Sequence, residues 1–192
     1  MGNYLVNGEK NKEEKKKIIV LGLDNAGKTS ILYSTGIGRH CTSLSTLPFS
    51  IEKVETDECI FVSWDIGRNQ QYRSFWHFYF DFPSHVIFVI DSSNISKLDE
   101  AINEFYRFLN EKQILNLPVL ILLNKQDLPN CISQQDIEDK LELQKLESSW
   151  FIQQTIAIRN IGIEDGLNWI RNGCPLNPQR FSRVKSAKSS LY

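Results

Sequence analysis

Residues Gly22 to Thr29 read Gly-Leu-Asp-Asn-Ala-Gly-Lys-Thr, and their setting narrows the fold more than any other stretch of the 192 residues. Ile18 to Leu21, four aliphatic residues in a row, lead in as a buried strand, and Ser30-Ile31-Leu32-Tyr33 can open a helix. Glycine-rich turns join strands to helices in many α/β proteins, but Lys-Thr at this offset marks a phosphate-binding loop. Gly22 and Gly27 permit backbone dihedrals closed to other residues. The successive amides of Asp24, Asn25, Ala26, Gly27, Lys28, Thr29 and Ser30 can therefore turn inward and wrap a polyphosphate at a helix N-terminus. Lys28 then reaches the β- and γ-phosphates, and the Thr29 hydroxyl can ligate Mg²⁺.

A second cluster selects the base. After Pro118, the run Val119-Leu120-Ile121-Leu122-Leu123 has the character of a central strand, and it ends in Asn124-Lys125-Gln126-Asp127. Guanine presents two donors, N1–H and the exocyclic amine, which one carboxylate accepts together. Adenine N1 is an acceptor and would set a lone pair against the charge of Asp127, which disfavours an ATP-using kinase. Asn124 can tie this loop to the base and the phosphate loop, and the stem of Lys125 can lie over the ring. Alone, such a tetrapeptide is an exposed turn; behind a phosphate loop at this distance it reads as a guanine site for GTP and GDP. Thr155-Ile156-Ala157 supplies a small residue, Ala157, whose backbone N–H can meet guanine O6. Cys59 to Trp64 is another apolar strand, closed by Asp65, a carboxylate at the strand end where an α/β sheet binds its ligand and a magnesium-associated acid belongs.

The remaining chain fits one domain. Strands alternate with helical patterns: His85 to Ile90 is a strand, Ser96-Lys97-Leu98-Asp99 and Ser133-Gln134-Gln135-Asp136 resemble capping boxes, Phe151 to Ala157 is the last strand and Asp165 to Arg171 the last helix. Gly36 to Ser45 reads as a polar connector, and Ser50 to Glu55 pairs with Cys59 to Trp64 as a hairpin about Asp57-Glu58. The alternation predicts an α/β fold with a doubly wound, mostly parallel sheet. A flexible polar leader over 1–16, a nucleotide-binding domain over 17–173 and a flexible tail over 174–192 are expected. That tail carries Arg180, Arg183, Lys185 and Lys188, and no acidic residue falls between Pro175 and Tyr192. A net charge of −1 argues against a nucleic-acid partner, and four cysteines without metal spacing suit a reducing cytoplasmic setting. No apolar run approaches the roughly 18 residues that would span a bilayer. Gly2 follows Met1 and is open to acylation, although Val6 stands where the myristoylation pattern prefers Ser or Thr; a plain solvated leader is the alternative. Aromatic residues crowd 72–82, more than one short helix can bury, so part of them is expected to face a partner.

Together, Gly-Leu-Asp-Asn-Ala-Gly-Lys-Thr, Trp-Asp-Ile-Gly and Asn-Lys-Gln-Asp resemble the Arf and Arf-like family of small GTPases, over about Lys17 to Asn172. The resemblance implies a G-domain fold, a monomer cycled by exchange factors and activating proteins, and effectors in membrane traffic met at intracellular membranes. It implies that Thr46 completes the Mg²⁺ shell and that Phe49, Trp64 and Tyr79 form an aromatic triad by which effectors sense GTP. The chain departs from the family at Leu47-Pro48, in its short apolar leader, in its basic tail, and above all after Asp65-Ile66-Gly67. There the family has Gly-Gln, and this chain has Arg68 and Asn69. Those two positions carry the hydrolysis, so the residues allow two readings: a switch that hydrolyses GTP slowly, and a nucleotide-bound scaffold that does not hydrolyse it.

Overall fold

The computed structural model describes residues 15–35, 41–46, 49–65 and 82–175, with the side chains of 41–46, 49–50 and 64–65 left aside. Gly2, Arg68, Asn69 and Tyr79 lie outside these residues. Seven strands form one sheet: β1 (Lys16–Gly22), β2 (Cys41–Thr46), β3 (Phe49–Glu55), β4 (Cys59–Asp65), β5 (His85–Asp91), β6 (Val119–Asn124) and β7 (Trp150–Gln154), in the order β2-β3-β4-β1-β5-β6-β7. Every pairing from β4 to β7 is parallel, and only β2–β3 and β3–β4 are antiparallel. This is the mostly parallel, doubly wound sheet the alternation predicted.

Side-chain period 2 explains how the strands bury both faces. Ile18 and Val20 of β1 point to one side with Leu120 and Leu122 of β6, where helices α1 (Lys28–Thr35) and α4 (Ile163–Arg171) bring Ile31, Leu32, Leu167 and Ile170. Ile19 and Leu21 point to the other with Ile121 and Leu123, under Phe105 of α2 (Leu98–Leu109), Ile137 of α3 (Gln134–Lys140) and Leu141 at the C-cap of α3. Gly166 brings α4 close, since a Cβ there would stand 3.2 Å from Leu120 Cδ2. Beyond α4, Cys174 is still buried and Trp169 Nε1 donates to the Pro175 carbonyl at 3.2 Å.

Several local expectations shift. The stretch read as a polar connector contains β2, whose Thr46 pairs with Phe49 and whose Ser45 pairs with Ser50 at the sheet edge. The last strand ends at Gln154, leaving Ala157 in a short 3₁₀ turn, and α4 begins two residues earlier than its apolar spacing suggested. Of the two capping boxes, the second forms its N-cap half: Ser133 Oγ accepts from Asp136 N at 3.1 Å and donates to Asp136 Oδ2 at 2.6 Å. The first does not, because a 3₁₀ turn over Ile95–Lys97 precedes α2 and Ser96 Oγ donates to Asn94 Oδ1 instead. Phe82, the last of the aromatic run, is 85% exposed.

At the end of the sheet away from the strands' carboxyl ends, His85 hydrogen-bonds Ser84 Oγ at 2.8 Å, and burial lowers its pKa from 6.5 to about 4, with Lys16 adding repulsion. The unfolded chain therefore takes up this proton before the folded one, and stability drains as pH falls from 6.5 towards 4. A pH series of thermal unfolding midpoints is expected to show that loss in the parent and a flatter profile in His85→Gln.

Candidate nucleotide site

Parallel pairing brings the loops to one edge. Val20 lies opposite Ser63, so Asp65, two residues on in β4, is level with Gly22 at the end of β1. Asp91 pairs with Asn124 at the ends of β5 and β6. Thr46 sits two strands out from Asp65, roughly 10 Å along the sheet.

The phosphate loop is shaped by its glycines. Gly22 and Gly27 have φ of 142° and 101°, and Asn25, at 62°, adopts a left-handed conformation that Asn tolerates better than most. A Cβ on Gly22 would stand 2.3 Å from the Val89 carbonyl oxygen, and one on Gly27 would stand 2.2 Å from Asn124 Nδ2. Lys28 is 4% exposed, and its ammonium donates to the carbonyls of Gly22 at 3.1 Å and Leu23 at 3.0 Å. A buried ammonium held across a cradle that any side chain would fill suits a polyphosphate. Thr29 and Ser30 continue the first turn of α1, so the Thr29 hydroxyl fits the Mg²⁺ role, with Asp65 level across the neighbouring strand.

Asn124 joins three loops. It is 2% exposed; its Nδ2 donates to the Ala26 carbonyl at 2.9 Å, and its Oδ1 accepts from Ala157 N–H at 3.0 Å and Thr155 Oγ at 3.3 Å. The link to the phosphate loop was legible in the sequence. The Ala157 N–H, expected to face guanine O6, here donates to Asn124. Lys125 has φ of 65°, and its ammonium bonds Asp91 Oδ2 at 2.7 Å, so its stem runs between the ends of β6 and β5. Asp127 follows in the same turn, where Leu128 N donates to the Lys125 carbonyl at 3.0 Å.

Sequence reasoning missed the residues that brace this loop. Ser92, fully buried, donates from both N and Oγ to the Asn124 carbonyl, at 3.0 and 2.5 Å, and its Oγ accepts from Gln126 Nε2 at 3.0 Å. Gln126 N donates to the Thr155 carbonyl at 3.2 Å, and Cys131 Sγ lies 3.3 Å from the Lys125 carbonyl. Burial acts to raise the Asp91 carboxyl, but the bonds from Lys125 and Ser93 outweigh it and hold the group below 3.8. The available signal was Asp-Ser-Ser at the end of the strand beside β1, where ligands bind in such sheets.

The model of the ADP-ribosylation factor family matches residues 3–174. Among solved structures, the chain is similar to the Arl6 BBS3 small GTPase of Trypanosoma brucei with bound nucleotide analogue GppNp, at 25% identity and a TM-score of 0.68, over 84% of this chain and 98% of that one. Among the described residues, no helix is long and apolar enough to cross a membrane.

Replacing Asn124 by Ala strands the buried Ala157 N–H and the Ala26 carbonyl together, each costing about 1–3 kcal/mol. Urea unfolding of the nucleotide-free protein is expected to show a loss of about 2–6 kcal/mol, the range that follows from those two orphaned groups. An unchanged midpoint would show the three loops to be held by other means.

Proposed function

With the chain belonging to the ADP-ribosylation factor family of small GTPases, we propose that this GTP-binding switch works with Mg²⁺, signals to effectors in membrane traffic and turns GTP over slowly. The observation that carries the reading is the Asn124 side chain, which closes the phosphate loop, the base loop and the Thr155–Ala157 turn into one site. In this reading the amides of Asp24 to Ser30 and the ammonium of Lys28 hold the phosphates, Asp127 accepts both guanine donors, and the Lys125 stem covers the ring. Thr29, Asp65 and Thr46 hold the metal, which neutralises charge on the phosphate oxygens. Phe49, Trp64 and Tyr79 form the surface effectors read.

The organisation follows the same proposal with two adjusted ends: a leader over 1–16, whose last residue Lys16 already belongs to β1 and pairs with Cys59, a nucleotide domain over 17–173 and a basic tail over 174–192, of which Cys174 and Pro175 still touch Trp169. The protein acts as a monomer in the cytoplasm and at the periphery of intracellular membranes. An acyl chain on Gly2 anchors only marginally by itself, and of the lysines Lys10, Lys12, Lys15, Lys16 and Lys17 that could add an anionic-surface contact, Lys10 and Lys12 would carry it, since Lys15 pairs with Glu55 and Lys16 and Lys17 belong to β1. Exchange factors and activating proteins set its cycle.

Slow turnover rests on the sequence after Gly67. Asn69 is one methylene shorter than glutamine, about 1.5 Å of reach, and misplacement on that scale costs about a hundredfold when the task is to orient an attacking water. Arg68 puts a side chain where the family has none. These two residues favour, as the second reading, a scaffold that binds GTP without hydrolysing it.

Three measurements test the proposal. GTP and GDP are expected to bind in the presence of Mg²⁺ while ATP does not, and Lys28→Ala is expected to abolish binding. Asp127→Asn is expected to weaken guanine and admit xanthine, whose exocyclic oxygen an amide can donate to; equal binding of ATP by the parent would remove the base assignment. Single-turnover hydrolysis is expected to recover mainly in the double variant Arg68→Gly with Asn69→Gln. A rate that falls in Arg68→Gly alone would make that arginine catalytic and refute this account of the segment.

A further inference from the structure

Lysine is a poor platform for an aromatic base unless something fixes it, since its four-carbon stem has many rotamers and its ammonium is strongly hydrated. Here both ends of the stem are held. The Cα stands one residue past the end of β6, in a left-handed conformation with φ of 65°, and Nζ bonds Asp91 Oδ2 at 2.7 Å. Asp91 is itself fixed: its other oxygen, Oδ1, accepts from Ser93 N at 3.1 Å and Ser93 Oγ at 2.7 Å. Burial is partial, with the Lys125 side chain 30% and the Asp91 side chain 19% exposed, so the pair is stiffened by its hydrogen bonds without losing access to a ligand. The next residue, Ser92, ties the same end of β5 to the Asn124 carbonyl, so anchor and stem belong to one braced unit.

We propose that Asp91 is a positioning residue for guanine: acting through Lys125, it holds the methylene stem stretched in the pose on which the ring is laid. The inference rests on the nucleotide reading above and adds to it a residue that does not touch the ligand. Its consequence is selective. Loosening the stem costs contact with the base and leaves the phosphate loop as it was, since the Asp91 bonds above run to Lys125 and Ser93. Asp91 also lines a cavity beside Asp24 and Asn25, so a change that propagates to the phosphate loop instead is a real competing outcome.

The test uses the full chain, nucleotide-free, with Mg²⁺. Affinities for GDP and for tripolyphosphate are measured separately by isothermal titration calorimetry. In Asp91→Asn, GDP is expected to weaken by about threefold to tenfold, the scale of re-ordering one long side chain on binding, and tripolyphosphate to bind as in the parent. Lys125→Met, which keeps the stem and loses the ammonium, is expected to show the same selective loss, and the double variant no more than either change alone. Proportional losses for GDP and tripolyphosphate, additive losses in the double variant, or parent-like GDP binding in Lys125→Met would overturn the inference. Lys125→Met decides alone if Asp91→Asn does not fold. A parent that binds tripolyphosphate and no guanine nucleotide would instead overturn the underlying base reading.

Discussion

The amide of Asn124 is the interaction on which the candidate site depends. One buried side chain donates to the phosphate loop and accepts from the Thr155–Ala157 turn, and its own carbonyl is held by Ser92. An amide is needed there because the Ala26 partner is an acceptor and the Ala157 partner a donor. Neither a carboxylate nor an aliphatic group of that size could satisfy both. The glycine at 27 is the other half of the same constraint, since Asn124 Nδ2 occupies the space its Cβ would take. Two residues 97 positions apart in the chain therefore specify each other (124 minus 27).

That much was legible because it is written in residue types with few substitutes. Four aliphatic residues before a Gly-x-x-x-x-Gly-Lys-Thr loop leave little choice of element or order, and the five-residue apolar run before Asn124 has the character of a strand covered on both faces. The β3–β4 hairpin was legible for the same reason, with Asp57-Glu58 between two β-rich runs. Strand β2 was not. Thr42-Ser43-Leu44-Ser45-Thr46 has no apolar alternation, because an edge strand takes its stability from backbone bonds to one neighbour more than from a buried face. Polarity made it look like a connector, and its register with β3 is a tertiary fact.

The brace around the base loop was illegible for a different reason. Ser92, Ser93 and Gln126 are common residues whose roles come entirely from which strands lie side by side. Asp91 meets Lys125 because β5 and β6 pair in parallel with Asp91 opposite Asn124. Without the strand order, Asp91-Ser92-Ser93 is a turn like many others. The failed capping box at Ser96 makes the same point locally: the pattern was correct, but a preceding 3₁₀ turn placed Asn94 within reach first.

Affinity and turnover separate along this line in the proposed reading. The bonds that close the site run among residues 22–28, 91–93, 124–126 and 155–157, and they satisfy one another. Gly27 has a steric reason to be glycine, so a side chain there would be expected to displace Asn124 and the base loop with it. Arg68 and Asn69 stand on a different segment, after β4, and the chemistry assigned to them is the orientation of a water rather than the holding of a ligand. A chain can therefore change those two residues and keep every bond just named, whereas it cannot change Gly27 or Asn124 and keep the site. In the proposed reading this asymmetry makes a slow or silent GTPase on an intact nucleotide scaffold physically consistent, because the two altered side chains lie outside the bonds that close the site.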